Sequence, residues 1–217
     1  LTKPDLSVSF RSSQDSSDSR AVAKANSMVQ IAINSARKVD APKFNKTKFE
    51  SAVDYALTQT TNHGGFFPLV REAFRGAGVI LVVLPNLAGS KTNGATKKLG
   101  SNIMLMVNDR RLYADSFWFT LLHEAGHILN DDLGISLDND TGIKEERADS
   151  FASNSLIDSD LYAAFVEHGD FGISSIQAFA ADINRDPGIV LGRLQNDGLI
   201  RYDDSDLASL QRRYKVV

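Results

Sequence analysis

His123-Glu124-Ala125-Gly126-His127 places two imidazoles four residues apart, with a carboxylate beside the first. On an α-helix, residues four apart share a face, so both rings can offer a nitrogen to one ion. Glu124 lies about a hundred degrees round the helix from His123. From there it can reach a water on that ion and serve as general base. A zinc ion that keeps one position open for water needs three protein ligands. The chain contains no cysteine, which leaves His, Asp or Glu for the third. Glu145-Glu146-Arg147-Ala148-Asp149 begins eighteen residues beyond His127. Read as a helix, it puts Glu145 and Asp149 on one face. Glu145 is then the first candidate for third ligand and Glu146 its rival. Asp149 is placed to accept a hydrogen bond from the outer nitrogen of a liganding histidine, His123 first, fixing its tautomer. The competing reading is a solvated helix start, since acids are favoured near a helix N-terminus. Asp131 and Asp132 lie too close to the end of the histidine helix to rank ahead of these.

Charge favours the site. Two neutral histidines and one carboxylate would leave a zinc complex of net charge about +1, which lowers the pKa of a bound water toward neutrality. Glu124 could take that proton and pass it to a leaving amine. The oxyanion formed on a peptide carbonyl would be held by zinc and one further donor. His168, His63, Tyr113 and Arg147 are the candidates for that donor, though each reads first as a structural or surface residue. Gly126 inside the helix costs about 1 kcal/mol relative to alanine. Close packing between the two ligand-bearing helices would explain its presence.

Stepping outward, residues 113–130 form the clearest helix, with Phe117, Leu121, Leu122, Ala125, Ile128 and Leu129 on a wide apolar face. A polar loop rich in Asp and Gly separates it from a second helix over 143–156. Upstream, helices are expected over 17–38, started by Asp18, over 46–57, and after Pro68. The run VILVVL, stopped by Pro85, reads as a buried strand. Residues 101–108 alternate as a second strand, with another expected near 95–99. Because residues 101–108 directly precede the metal helix, they are the candidate sheet edge for binding substrate backbone by strand addition, or else an internal strand. Short helices are expected over 161–167, 173–183 and 186–196, and DGLIRY reads as a small strand. Residues 1–19, serine-rich and polar, read as an arm or linker, 20–172 as the metal-binding domain and 173–217 as a small helical subdomain packed on it.

The 217 residues suffice for one full-sized domain, and 42% apolar content supports a substantial core. The net charge of −3 argues against a dominant nucleic-acid or anionic-membrane surface. Arg185, Arg193, Arg201, Arg212 and Arg213 populate the tail, but aspartates dilute them, so direct nucleic-acid binding is not expected. The longest apolar run is too short to cross a bilayer and no signal segment opens the chain. Together with the absence of cysteine, this leads to the expectation of a cytoplasmic protein without membrane partners.

The chain resembles the ImmA/IrrE family of zinc metallopeptidases. The resemblance rests on SVSFRSSQDSSDSRAVAKAN, GVILVVLPN, SNIMLMVNDRRLYADSFWFTLLHEAGHILN and KEERADSFAS, in that order, and covers about residues 7–200. It implies an α+β fold, a small mixed sheet packed on a helical zincin-like core with a helical C-terminal tail. It also implies that Zn2+ is held by His123, His127 and Glu145, that Glu124 is the catalytic base, and that Asp149 takes the place of an Asn or Asp behind the ligands. Two features depart from the family pattern. Arg147 stands where a second Glu is usual, and Asn154-Ser155-Leu156-Ile157-Asp158 replaces a leucine-methionine-proline segment. The resemblance implies an endopeptidase acting on a specific protein, a helix-turn-helix transcriptional repressor being the leading candidate. The alternative is a non-proteolytic regulatory or antitoxin-like module with a retained zinc site, working through a toxin or a DNA-binding partner domain. A glutamate base has little use in a purely structural site, which favours the enzyme.

Overall fold

The computed structural model describes residues 19–111, 113–137 and 142–214. The polar arm, save Ser19, and the proposed cap Asp18 lie outside the described residues. Within them the chain folds as helices around a small mixed sheet, a zincin-like α+β arrangement.

The sheet has the order β1-β3-β2-β4, formed by β1 (Val79–Leu84), β2 (Thr92–Leu99), β3 (Asn102–Asn108) and β4 (Ile135–Leu137). β1 pairs with β3 in parallel, from Val79 opposite Ile103 to Leu84 opposite Asn108. β2 and β3 form a hairpin through Gly100, which adopts the left-handed φ of +63° that its turn requires. β3 is therefore internal, not the edge that its position before the metal helix suggested. The edges among the described strands are β1 and β4. DGLIRY is not a strand either: the carbonyl of Leu194 accepts from the N–H of both Leu199 and Ile200, so the chain turns there.

Strand side chains alternate between faces, and the two faces serve different layers. Leu81, Ile103, Leu105 and Val107 join a core with α2 (Lys46–Leu57), α3 (Phe66–Gly76) and α4 (Ala114–Leu129). Ile80, Met104 and Met106 face the other way and pack under α1 (Ser19–Ala36), through Met28, Val29, Ala32 and Ile33. Asn45 starts α2 by accepting from the backbone N–H of Lys48, while Pro68 sits in the first turn of α3, where no intrahelical donor is lost.

α4 is the central element. Every residue from Leu121 to Ile128 is buried, including the charged ones. A helix buried on all sides belongs to the interior of the fold. The sheet covers one flank, and α5 (Ile143–Leu156) and α8 (Pro187–Asn196) cover others. At Gly126 a side chain would meet Phe151 Cδ1 at 3.0 Å and Ala148 Cα at 3.3 Å, so the glycine lets α5 close on α4. Gly192 does the same for α8, since a Cβ there would lie 2.5 Å from Asp115 Oδ2. α6 (Ser159–His168) and α7 (Ile173–Asp182) complete the tail, with Phe165 and Phe179 stacked face to face, centroids 4.3 Å apart. No helix among the described residues is long and apolar enough to cross a membrane.

Candidate metal centre

α4 and α5 bring three ligand groups to one point. His123 Nε2 and His127 Nε2 lie 3.0 Å apart. Glu145 Oε2 is 3.1 Å from the first and 3.5 Å from the second. Ligand atoms about 2.0–2.1 Å from a tetrahedral zinc would be separated by about 3.3–3.4 Å. The three observed edges bracket that value. All three side chains are buried.

The orientation of His123 comes from α5. Its Nδ1 lies 2.8 Å from Asp149 Oδ1, one turn beyond Glu145. With Nδ1–H donating to that carboxylate, Nε2 keeps its lone pair for a cation. Burial opposes charge on His123. Hydrogen bonds to Asp149 and then Glu145, with Glu124 nearby, outweigh it and raise its pKa to about 9. A cluster of two imidazoles and surrounding carboxylates thus calls for positive charge, which zinc fits in both size and donor set.

The rival ligands lie elsewhere. Glu146 is exposed and outside the triad. Asp131 is exposed, and Asp132 pairs with Lys144 at 3.0 Å. Glu124 is fully buried, with Oε1 accepting from Ser136 Oγ of β4 at 2.6 Å. Gly94 of β2 makes room for it: a Cβ there would lie 2.6 Å from both Cγ and Oε1 of Glu124. Gly94→Ala should therefore displace this carboxylate without touching a ligand. Misplacement on the ångström scale costs on the order of a hundredfold in rate, so kcat should fall to that extent while zinc content is unchanged. Elemental analysis beside a peptide-cleavage assay checks both.

His123, Glu145 and Asp149 open onto a cleft of about 400 Å³. Asn93 and Ser136 line its sheet side, while Ile189, Arg193 and Tyr202 come from α8 and the turn after it. None of the four proposed oxyanion donors is on this wall. His63 pairs with Asp186 at 3.0 Å, Arg147 donates to Asn130 Oδ1 at 3.0 Å, and His168 is exposed on α6. Tyr113 lies under the Arg213 guanidinium in a neighbouring cavity. The cationic groups that do line the cleft are Arg111 and Arg193, the latter fixed to Asp197 at 2.8 Å. Arg193 was missed because no local pattern links it to the HExxH helix; only the packing of α8 on α4 brings it there, whereas Arg111 lies just ahead of α4 in sequence.

A buried HExxH helix beneath a small mixed sheet, with a glutamate closing from the next helix, defines a zincin-type zinc metallopeptidase. Residues 80–180 match the model of the IrrE N-terminal-like domain. This stretch contains the whole triad and its helices. Comparison with curated proteins gives no match.

Proposed function

We propose that the protein is a zinc-dependent endopeptidase that cuts a specific protein, a helix-turn-helix transcriptional repressor, in the cytoplasm. His123, His127 and Glu145 hold the metal. When bound, zinc supplies Lewis-acid polarisation of water and of the scissile carbonyl. Glu124 accepts the proton of the attacking water and returns it to the leaving amine, with Ser136 keeping its carboxylate in place. Asp149 holds His123 in the tautomer that leaves Nε2 free. Residues 20–172 form the catalytic unit and 173–217 a subdomain that contributes the far wall of the cleft. A toxin or a DNA-binding domain is a further partner compatible with this reading.

The observation that carries the proposal is the buried carboxylate of Glu124 beside the triad. A purely structural site would not require it, and burying a carboxylate without such a use is costly. The test is incubation with a purified helix-turn-helix repressor encoded beside this gene. A single cut, located by mass spectrometry and blocked by a chelator, is expected. An intact repressor alongside cleavage of other polypeptides would remove the repressor and leave the peptidase.

Asp149→Ala should weaken zinc binding by about 10–100-fold, the usual effect of losing the partner of a liganding histidine. Competition with a fluorescent chelator measures it. Unchanged affinity would deprive Asp149 of its role.

A further inference from the structure

A second cavity, of about 590 Å³, adjoins the catalytic cleft. Asn93, Arg111, Ser116 and Thr120 line both, so one bound chain can pass from one to the other. Arg71, Arg110, Arg111 and Arg213 line this cavity, and Asp109 is the one carboxylate among its lining residues. That carboxylate already accepts the backbone N–H of Asn86 at 2.8 Å. His63, also on the wall, is engaged by Asp186. The chain as a whole carries a net charge of −3, so this cationic concentration is local. The Arg213 guanidinium carbon lies 5.3 Å from the centroid of the Tyr113 ring, within cation–π range.

The shape points to a polypeptide. Ile80, Leu81, Val82 and Val83 all line the cavity. Consecutive strand residues face opposite ways, so a cavity that meets all four meets β1 edge-on. β1 is paired on one side with β3, and no described strand pairs with the other. Phe67 and Phe117 form an apolar wall nearby.

We propose that this cavity is an exosite for an extended acidic segment of the polypeptide that the enzyme cuts. The segment's backbone runs along the outer edge of β1, a bulky apolar side chain rests against Phe67 and Phe117, and carboxylates meet Arg71 and Arg213. Calling that polypeptide the substrate rests on the peptidase reading; the binding itself does not.

The test uses the zinc-loaded full chain carrying Glu124→Gln, so that binding is read without turnover. The probes are two fluorescein-labelled decapeptides of one apolar pattern, with Glu at the polar positions of one and Lys in the other. By anisotropy at physiological salt, the acidic peptide should bind about tenfold or more tightly. Adding Arg71→Glu and Arg213→Glu, both exposed positions, should reverse the preference while zinc content stays the same. N-methylation of alternate amides in the acidic peptide should weaken it about tenfold, as expected for lost backbone pairing. Equal binding of the two peptides, or a preference unmoved by charge reversal, would overturn the exosite. So would a methylated peptide binding as well as its parent while inorganic phosphate displaces it, the signature of a small-anion site. Cleavage by the unsubstituted protein is scored separately. If the acidic peptide binds but the unsubstituted zinc-loaded protein cuts no protein substrate at all, the peptidase reading falls and the exosite stands.

Discussion

Glu124→Gln should abolish peptide hydrolysis, by about 10²–10⁴-fold in kcat, with one zinc still bound per chain. The substitution keeps the side chain's shape in a space where there is no slack. Glu124 is fully buried, Gly94 touches its flank, and Ser136 donates to Oε1 at 2.6 Å. A glutamine can still accept that hydrogen bond through its own oxygen, so the fold and the ligands should be undisturbed. What it cannot do is take a proton at neutral pH. Rate and metal content therefore separate cleanly. Cleavage is followed by mass spectrometry of the products, and zinc by elemental analysis of the same sample. Retained cleavage at full zinc content would remove Glu124 from its role as base.

His127→Ala should lose both the metal and much of the thermal stability. His127 is completely buried and supplies one corner of the triangle with His123 and Glu145. Without it two ligands remain, too few for a zinc site. Zinc bound at a thousand times its Kd stabilises the native state by about 4 kcal/mol. In a domain of this size that corresponds to roughly 10 °C in Tm. The same substitution also leaves a hole in α4, with its own cost. Chelation separates the two effects. A chelator should lower the Tm of the unsubstituted protein by the zinc contribution and leave the variant's Tm unchanged. A variant that still responds to chelation would show that His127 is not a ligand.

The metal site was legible because its parts are local. HExxH and ExxxD each lie within a single helix, and helical geometry alone decides which side chains share a face. Gly126 was legible for a related reason: a glycine in a strong helix pattern signals close approach, and Phe151 and Ala148 of α5 supply it. The sheet was legible strand by strand but not in its order. Whether β3 is an edge depends on β1 joining it in parallel across a helix-free but hairpin-containing connection, which no periodicity encodes. The cleft donors failed for the same reason. His63 and Tyr113 are chemically plausible, yet tertiary packing gives the first to Asp186 and places the second under Arg213. Arg193 and Tyr202 reach the cleft through the packing of α8 on α4, where Gly192 fits against Asp115. DGLIRY has strand-like residues, but no described strand lies beside it, and the Leu194 carbonyl draws it into a turn.

The cleft's far wall belongs to a stretch of chain remote in sequence from the metal ligands, spanning Ile189 to Tyr202. The two sides of the cleft are thus written on separate passages of the gene. The far-wall passage is itself tied into the core, since Ile189, Val190, Leu191 and Leu194 are buried in it and Gly192 fits against Asp115, so only its outward positions are free to vary without loosening the fold.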